Sequence, residues 1–261
     1  MIEELLRFAG VYSIYEQWLE RTVRAGEMPQ HLAVVLDGNR RWARRHGLST
    51  AQAYRHGADK VEELLRWCLD LGIRIVTLYV LSVENVLRRP REELEEIYAV
   101  LLERAERFLT EELVWREKVR FKIIGRIDYL PQEVASSLLR LEKETMNHDR
   151  FHLNIAVAYG GRMEIVDAVR KILWQAQRGW VAPEMIDEKM IESNLYTNGL
   201  PKPDPDLVIR TSGEERISNF LLWQIAYSEL VFLDVYWPSF RRIDLLRAIR
   251  TYQQRVRRYG S

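Results

Sequence analysis

The segment His31-Leu-Ala-Val-Val-Leu-Asp-Gly-Asn-Arg-Arg-Trp-Ala-Arg-Arg45 runs an apolar stretch directly into a carboxylate, a glycine and four arginines. Residues 32–36 are all apolar, as in a strand buried on both faces of a parallel sheet. Asp37 emerges at the carboxyl end of that strand, Gly38 permits a sharp turn, and Asn39 is suited to cap the helix that follows. Arg40, Arg41, Arg44 and Arg45 fall where helix-start amides already favour anions. One acid among several cations suits a metal ion bridging to phosphate, so the segment reads as a diphosphate and metal site. A solvated arginine-rich helix after an ordinary core strand has the same pattern, and other segments must decide between the two.

Composition frames the choice. The chain has 261 residues, 47% hydrophobic and 30% charged, with 39 basic against 38 acidic side chains. This fits a soluble globular chain of one large domain, and a net charge of +1 argues against a general nucleic-acid binder. The cations are concentrated locally: residues 37–56 carry five arginines and one aspartate, and residues 239–261 carry seven arginines and one aspartate. Cys68 is the one cysteine, which permits no internal disulfide and favours a reducing compartment. No apolar stretch has bilayer length, and Glu3, Glu4 and Arg7 interrupt a signal-like start, so the expectation is a cytoplasmic chain, at most peripheral to a membrane. Residues 1–28 form an amphipathic helical segment of their own, with Leu5, Leu6, Phe8, Ala9, Tyr12, Tyr15, Trp18 and Leu19. That segment either packs against the body, residues 29–261, or lies in a membrane interface.

The elements that must position the site follow from six strand-like runs separated by helical segments: HLAVVLD, RIVTLYVLS, VRFKIIG, HLNIAVAYG, DLVIRTSG and ELVFLDVYW. Such alternation predicts an α/β fold with a central, mostly parallel six-stranded sheet flanked by helices. Ligands collect outside the carboxyl ends of such strands. There the chain places Asp37; Ser82, Glu84 and Asn85; Gly160, Gly161 and Arg162; and Arg210, Thr211 and Ser212. The loop LSVENVLRRP brings Ser82, Glu84, Asn85 and Arg88 into one short turn. Arg210 and Arg216 flank a Thr-Ser-Gly turn, and guanidinium forks match phosphate oxygens. Ser218 and Asn219 are expected to open an aromatic helix that carries Glu229, overlapping the last strand-like run. From 91 to 113, Leu94, Ile97, Tyr98, Leu101, Leu102, Ala105, Phe108 and Leu109 recur at helical spacing, which by itself reads as ordinary core.

Together, DGNRRWA, SVEN, IRTSGEERISNFLLWQ, YSELVF and the terminal Arg258-Tyr-Gly260 resemble the cis-prenyltransferase family, the undecaprenyl and dehydrodolichyl diphosphate synthases, from about residue 31 to the end. The paired arginines of GNRRWA and the serine of RTSGE are closest to archaeal and eukaryotic members. The resemblance implies that family's fold with a hydrophobic tunnel, a homodimer, and condensation of isopentenyl diphosphate with an allylic primer, farnesyl or geranylgeranyl diphosphate. It implies Mg2+ on Asp37, with Glu229 as a second metal-side carboxylate contributed near the partner subunit's site.

By the same resemblance Gly38, Asn39, Arg40, Arg41, Trp42 and Arg88 hold the allylic diphosphate. Arg210, Arg216, Ile217 and Ser218 hold isopentenyl diphosphate, aided by Arg258 and Gly260 crossing the dimer interface, with Ser82, Val83 and Glu84 completing the substrate site. Asn85 and His56 belong to the proton-transfer and phosphate network. An amide is a poor base, so Asn85 is suited to orient a phosphate that itself takes the proton. The chain departs from the family at Val86, where an aromatic is usual, and at 86–90, one residue longer before proline, which makes Arg89 the alternative to Arg88. Gln52 falls where an arginine often binds diphosphate, with Arg55 a possible substitute. The absence of a DDxxD motif separates the chain from trans-type synthases. A noncatalytic diphosphate-lipid-binding subunit would share the basic pocket; such relatives lack the metal-binding acid, and Asp37 is present here.

Overall fold

Residues 32–36 form the middle of the fold. In the computed structural model, which describes residues 11–255, β1 (His31–Val35) is buried along its whole length. It pairs in parallel with β2 (Ile75–Ser82) on one side and with β5 (Leu207–Arg210) on the other. Outward from β2 lie β4 (Phe151–Tyr159) and β3 (Val119–Ile124), and outward from β5 lies β6 (Glu229–Phe232). All six strands are parallel, in the order β3-β4-β2-β1-β5-β6.

Strand alternation sends Leu32 and Val34 into the larger core and Ala33 and Val35 into the smaller one. The larger core is covered by α1 (Val11–Arg24), α3 (Thr50–Leu71), α5 (Arg91–Thr110), α7 (Gln132–Glu144) and α10 (Arg242–Gln254). α2 (Asn39–His46) and α4 (Val83–Arg88) cross the carboxyl ends of β1 and β2, and α6 (Glu112–Arg116) leads into β3. The smaller core lies under α8 (Gly161–Gln177) and the turns of 217–228, with α9 (Glu188–Asn194) beside α8. The chain after β1 thus leaves to one face and the chain after β5 to the other, which opens a crevice above that strand pair, the usual ligand position in open α/β sheets.

Two expected elements differ. The aromatic helix after Ser218 does not form: residues 219–227 are turns, with Ser218, Asn219 and Leu221 at positive φ of 49°, 64° and 43°, and Glu229 opens strand β6. Those left-handed residues cannot continue a right-handed helix. The SVEN loop is instead the helix α4, because the Ser82 hydroxyl caps it by accepting from Asn85 N–H at 3.0 Å.

α1 packs on the body, its Leu19 and Val23 fully buried and its Glu20 accepting from Arg242 at 2.6 and 2.8 Å. Ile14 and Trp18 face outward. Among the described residues no helix is long and apolar enough to cross a membrane. Leu5, Leu6, Phe8 and Ala9 lie outside the described residues.

A polar chain crosses the buried sheet: His31 Nε2 is 2.7 Å from Thr77 Oγ1, and Asn154 Nδ2 donates to the same hydroxyl at 2.9 Å. Burial pushes the His31 ring down to about 4. The unfolded chain therefore takes up a proton below about pH 6.5 that the folded protein refuses, so stability is full above that value and falls as pH drops towards 4, by about 3 kcal/mol at the limit. Urea midpoints measured from pH 7 to 5 are expected to fall, with the slope reduced in His31→Gln; equal slopes in both proteins would refute this origin.

Candidate active site

Asp37 lies just beyond β1, beside the end of β5, where Val35 and Arg210 are register partners. Its Oδ2 accepts from Arg210 Nη2 at 2.7 Å, and its Oδ1 is 3.5 Å from Arg41 Nη2. The Asp37 N–H donates to the Thr211 hydroxyl at 3.0 Å, and that hydroxyl lies 2.7 Å from the Asp37 carbonyl, which ties the two strand ends together. Burial acts to raise the Asp37 carboxyl, but the guanidinium groups of Arg210 and then Arg41 outweigh it and hold the acid below its usual range. Asp37 is therefore an anion ready for a cation.

The loop after β5 wraps the guanidinium of Arg210. Its Nη1 donates to Ser218 Oγ at 2.6 Å and to the Arg216 carbonyl, while Nε is buried without a partner. Arg41 donates to Ser212 Oγ at 2.6 Å and Glu214 at 3.0 Å, and its guanidinium lies 5.6 Å from the Tyr236 ring centre. Glu84, on α4, accepts from Asn219 Nδ2 at 2.7 Å. Asn219 in turn accepts from Arg162 N–H at the start of α8 at 2.9 Å. This one side chain therefore links the ends of β2, β4 and β5.

Gly38 permits the turn out of β1: its φ is +106°, and an added Cβ would sit 2.7 Å from Tyr236 Cδ1. Asn39 does not cap α2, since Gly38 occupies the cap position; the Asn39 amide donates back to the Leu36 carbonyl at 3.1 Å. Gly38→Ala is expected to cost about 1–3 kcal/mol and to cut diphosphate affinity by displacing Tyr236 and Arg41. Gly47 has φ +65° but open space around it, so Gly47→Ala should lose stability and keep affinity. Isothermal titration with inorganic diphosphate separates the two; equal affinity in both variants would contradict the steric argument.

Three cavities meet here. One polar cavity is lined by Asp37, Arg40, Ser82, Glu84, Asn85, Arg89, Arg210, Ser218 and Asn219. A second is lined by Asp37, Gly38, Asn39, Arg40, Arg41, Arg44, Tyr54, Arg89, Glu214 and Arg216. The third, about 130 Å³, is mostly apolar: Ala58 and Val61 from α3, Ile97, Leu101 and Phe108 from α5, and Leu78, Leu153 and Ile155 from the sheet. Asp37 is common to the two polar cavities, and Leu36 and Arg89 line all three.

Several residues singled out in the sequence fall elsewhere. Arg88 is exposed, and Arg89 is the arginine of that segment that lines the cavities, held by Tyr54 at 2.7 Å and Glu93 at 2.9 Å. His56 is exposed against Trp42, whose indole donates to Ser239 at 2.7 Å, and neither is among the residues lining these three cavities. Val83 is buried beside Gly160, and Ile217 packs on the smaller core. Gln52 closes a capping box with Ser49, and Arg55 is exposed. Glu229 lies at the amino end of β6, level with Leu207 and thus at the opposite end of the sheet from Asp37, where it accepts from Arg255 at 2.8 Å. Arg258 and Gly260 lie outside the described residues. Of the 91–113 stripe, Ile97, Leu101 and Phe108 line the apolar cavity, while Leu94, Tyr98, Leu102, Ala105 and Leu109 belong to the core. Tyr54 was not singled out in the sequence, whereas Arg89 stood there as the alternative to Arg88 and Asn219 as the opening of a helix rather than as a link between strand ends.

A parallel α/β sheet whose switch point carries Asp37 between two arginine-lined cavities, next to an apolar cavity, has the groups to receive an anion joined to an apolar tail. The family model Prenyltransf, undecaprenyl diphosphate synthase, matches residues 35–260. A Methanocaldococcus jannaschii tritrans,polycis-undecaprenyl-diphosphate synthase (geranylgeranyl-diphosphate specific) is 49% identical over 253 residues, covering 97% of this chain and 90% of that one. An isoprenyl transferase of Thermus thermophilus is 47% identical over 265 residues, with both chains fully covered. Among solved structures, lavandulyl diphosphate synthase from Lavandula x intermedia in complex with dimethylallyl diphosphate matches with TM-score 0.86 and 34% identity, covering 90% of this chain and 99% of that one. The chain belongs to the undecaprenyl diphosphate synthase family of cis-type prenyltransferases.

Proposed function

We propose that the chain condenses isopentenyl diphosphate with an allylic diphosphate to lengthen a polyprenyl diphosphate with cis geometry. The observation that carries this reading is the sharing of Asp37 by two arginine-lined cavities, one of which shares Leu36, Asn39, Tyr54 and Arg89 with the apolar channel. The allylic diphosphate takes the cavity of Gly38, Asn39, Arg40, Arg41 and Arg89, with its hydrocarbon in the channel. Isopentenyl diphosphate takes the cavity of Arg210, Ser218, Ser82 and Asn85. Arg216, assigned by resemblance to the isopentenyl side, instead lines the allylic cavity, where its guanidinium pairs with Glu214, and only its main-chain carbonyl meets Arg210.

As the allylic carbon–oxygen bond breaks, its electron pair leaves with the diphosphate, and the carbon accepts the double-bond electrons of isopentenyl diphosphate, which then gives up a proton. Guanidinium forks stabilise the charge that grows on the leaving group. Asn85, facing the isopentenyl cavity, orients a phosphate oxygen to take the proton.

Among the described residues no three His, Cys, Asp or Glu side chains converge to hold a metal. Mg2+ fits nonetheless, because it is held by one or two carboxylates together with substrate phosphates and waters. Asp37 would hold it, and it would stabilise the leaving diphosphate. Glu229 can join Asp37 only from another protomer. A homodimer is supported by the outer face of α8, where Val166, Val169, Leu173 and Trp174 are exposed. The buried thiol of Cys68 is compatible with a cytoplasmic protein.

Geranylgeranyl diphosphate is the proposed primer, following the specificity named for the archaeal relative. In a competition with equal farnesyl and geranylgeranyl diphosphate, labelled isopentenyl diphosphate should enter geranylgeranyl-derived product first. Farnesyl-derived product alone would reverse the primer, and binding of both without product would favour the noncatalytic subunit.

A further inference from the structure

We propose that Arg104 limits the length to which the prenyl chain grows by interrupting the far part of the apolar cavity. The inference rests on the reading of that cavity as the prenyl channel.

Two charged side chains line the cavity: Arg89, which also lines both polar cavities, and Arg104, which is buried between α3 and α5. From Arg91, the first residue of α5, to Arg104 the helix rises about 20 Å. Along that path a hydrocarbon chain meets Val61, Ile97 and Leu101, and each added unit gains by leaving water. At Arg104 the wall changes character. Its Nη1 donates to Glu62 at 2.7 Å and its Nη2 to Asp59 at 2.6 Å, both on α3, while its Nε is buried without a partner. A prenyl unit that packs against this guanidinium meets a polar group instead of further methylene and ring surface, so it gains less than the units before it. The guanidinium cannot swing aside cheaply, because it joins α3 to α5, and Glu62 is held in addition by Arg107 at 2.9 Å. Beyond it the lining is apolar again, with Phe108 one turn further along α5. The barrier is therefore a charged group part-way along the channel, with apolar room behind it.

The test compares product length from the full chain, Arg104→Met and Asp59→Asn, each incubated with Mg2+, labelled isopentenyl diphosphate and geranylgeranyl diphosphate, the extracted lipid being separated by chromatography. Arg104→Met, similar in length and uncharged, is expected to lengthen the longest product by at least one isoprene unit. Asp59→Asn removes a charge from an exposed partner with little threat to folding, and should broaden the distribution towards longer products. Arg104→Lys, which keeps a charge, should stay near the wild-type length. A wild type that elongates while Arg104→Met and Asp59→Asn both stop at its length overturns the inference alone. A wild type that makes no polyprenyl product overturns the prenyl reading and this inference with it.

Discussion

Asp37→Asn is expected to lower turnover by about a thousandfold while diphosphate affinity stays the same or rises. The substitution removes one negative charge and keeps the shape of the side chain. Asp37 would no longer hold Mg2+, and the stabilisation that develops as the allylic bond breaks would go with it; losing one such preorganised electrostatic group typically costs about 10²–10³ in rate. Binding follows the opposite logic. Arg210 and Arg41 both spend part of their charge on Asp37, and without it both are freer to meet an anion. The expected signature is thus a fall in kcat without a matching rise in KM, read by steady-state kinetics alongside titration with inorganic diphosphate. A purely structural role for Asp37 would lower affinity and thermal stability together.

Arg210→Lys should raise the KM for isopentenyl diphosphate by about ten- to a hundredfold and leave the KM for the allylic primer nearly unchanged. Arg210 is 5% exposed, and its fork divides between Asp37 on one nitrogen and Ser218 with the Arg216 carbonyl on the other. Lysine keeps the charge but has a single nitrogen, so it cannot hold both partners and also present a second edge to phosphate. A loss of about 1.4–3 kcal/mol in binding corresponds to that range of KM. Equal rises for both substrates would mean that the two cavities do not divide them as proposed.

The fold was largely legible in the chain because its strands are buried on both faces. Continuous runs such as Leu-Ala-Val-Val-Leu carry a strong signal, and all six runs became strands of one sheet. Asp37 and Arg210 were legible for the same reason, since strand ends fix where the following polar residues lie. The turns of 217–228 were not legible as turns: their aromatic and leucine content has helical character, and the left-handed backbone of Ser218, Asn219 and Leu221 has no compositional mark. Arg88 and Arg89 could not be told apart by spacing, because one extra residue in a short helix rotates the side chain by about 100° and so decides which one faces the cavity. Tyr54 went unmarked because a tyrosine on a helix is ordinary core until the partner, here Arg89, is placed against it. Glu229 matches by motif, yet its distance from Asp37 follows from strand direction, which a local motif does not encode.

The most direct test of the account is the geometry of the newly made double bond. Purified protein is incubated with Mg2+, isotopically labelled isopentenyl diphosphate and geranylgeranyl diphosphate, and the extracted polyprenyl product is examined by NMR, with folded Asp37→Ala as control. The account predicts a lengthened chain whose added units are cis, absent from the control. Added units in trans geometry, or equal product from the control, would contradict it.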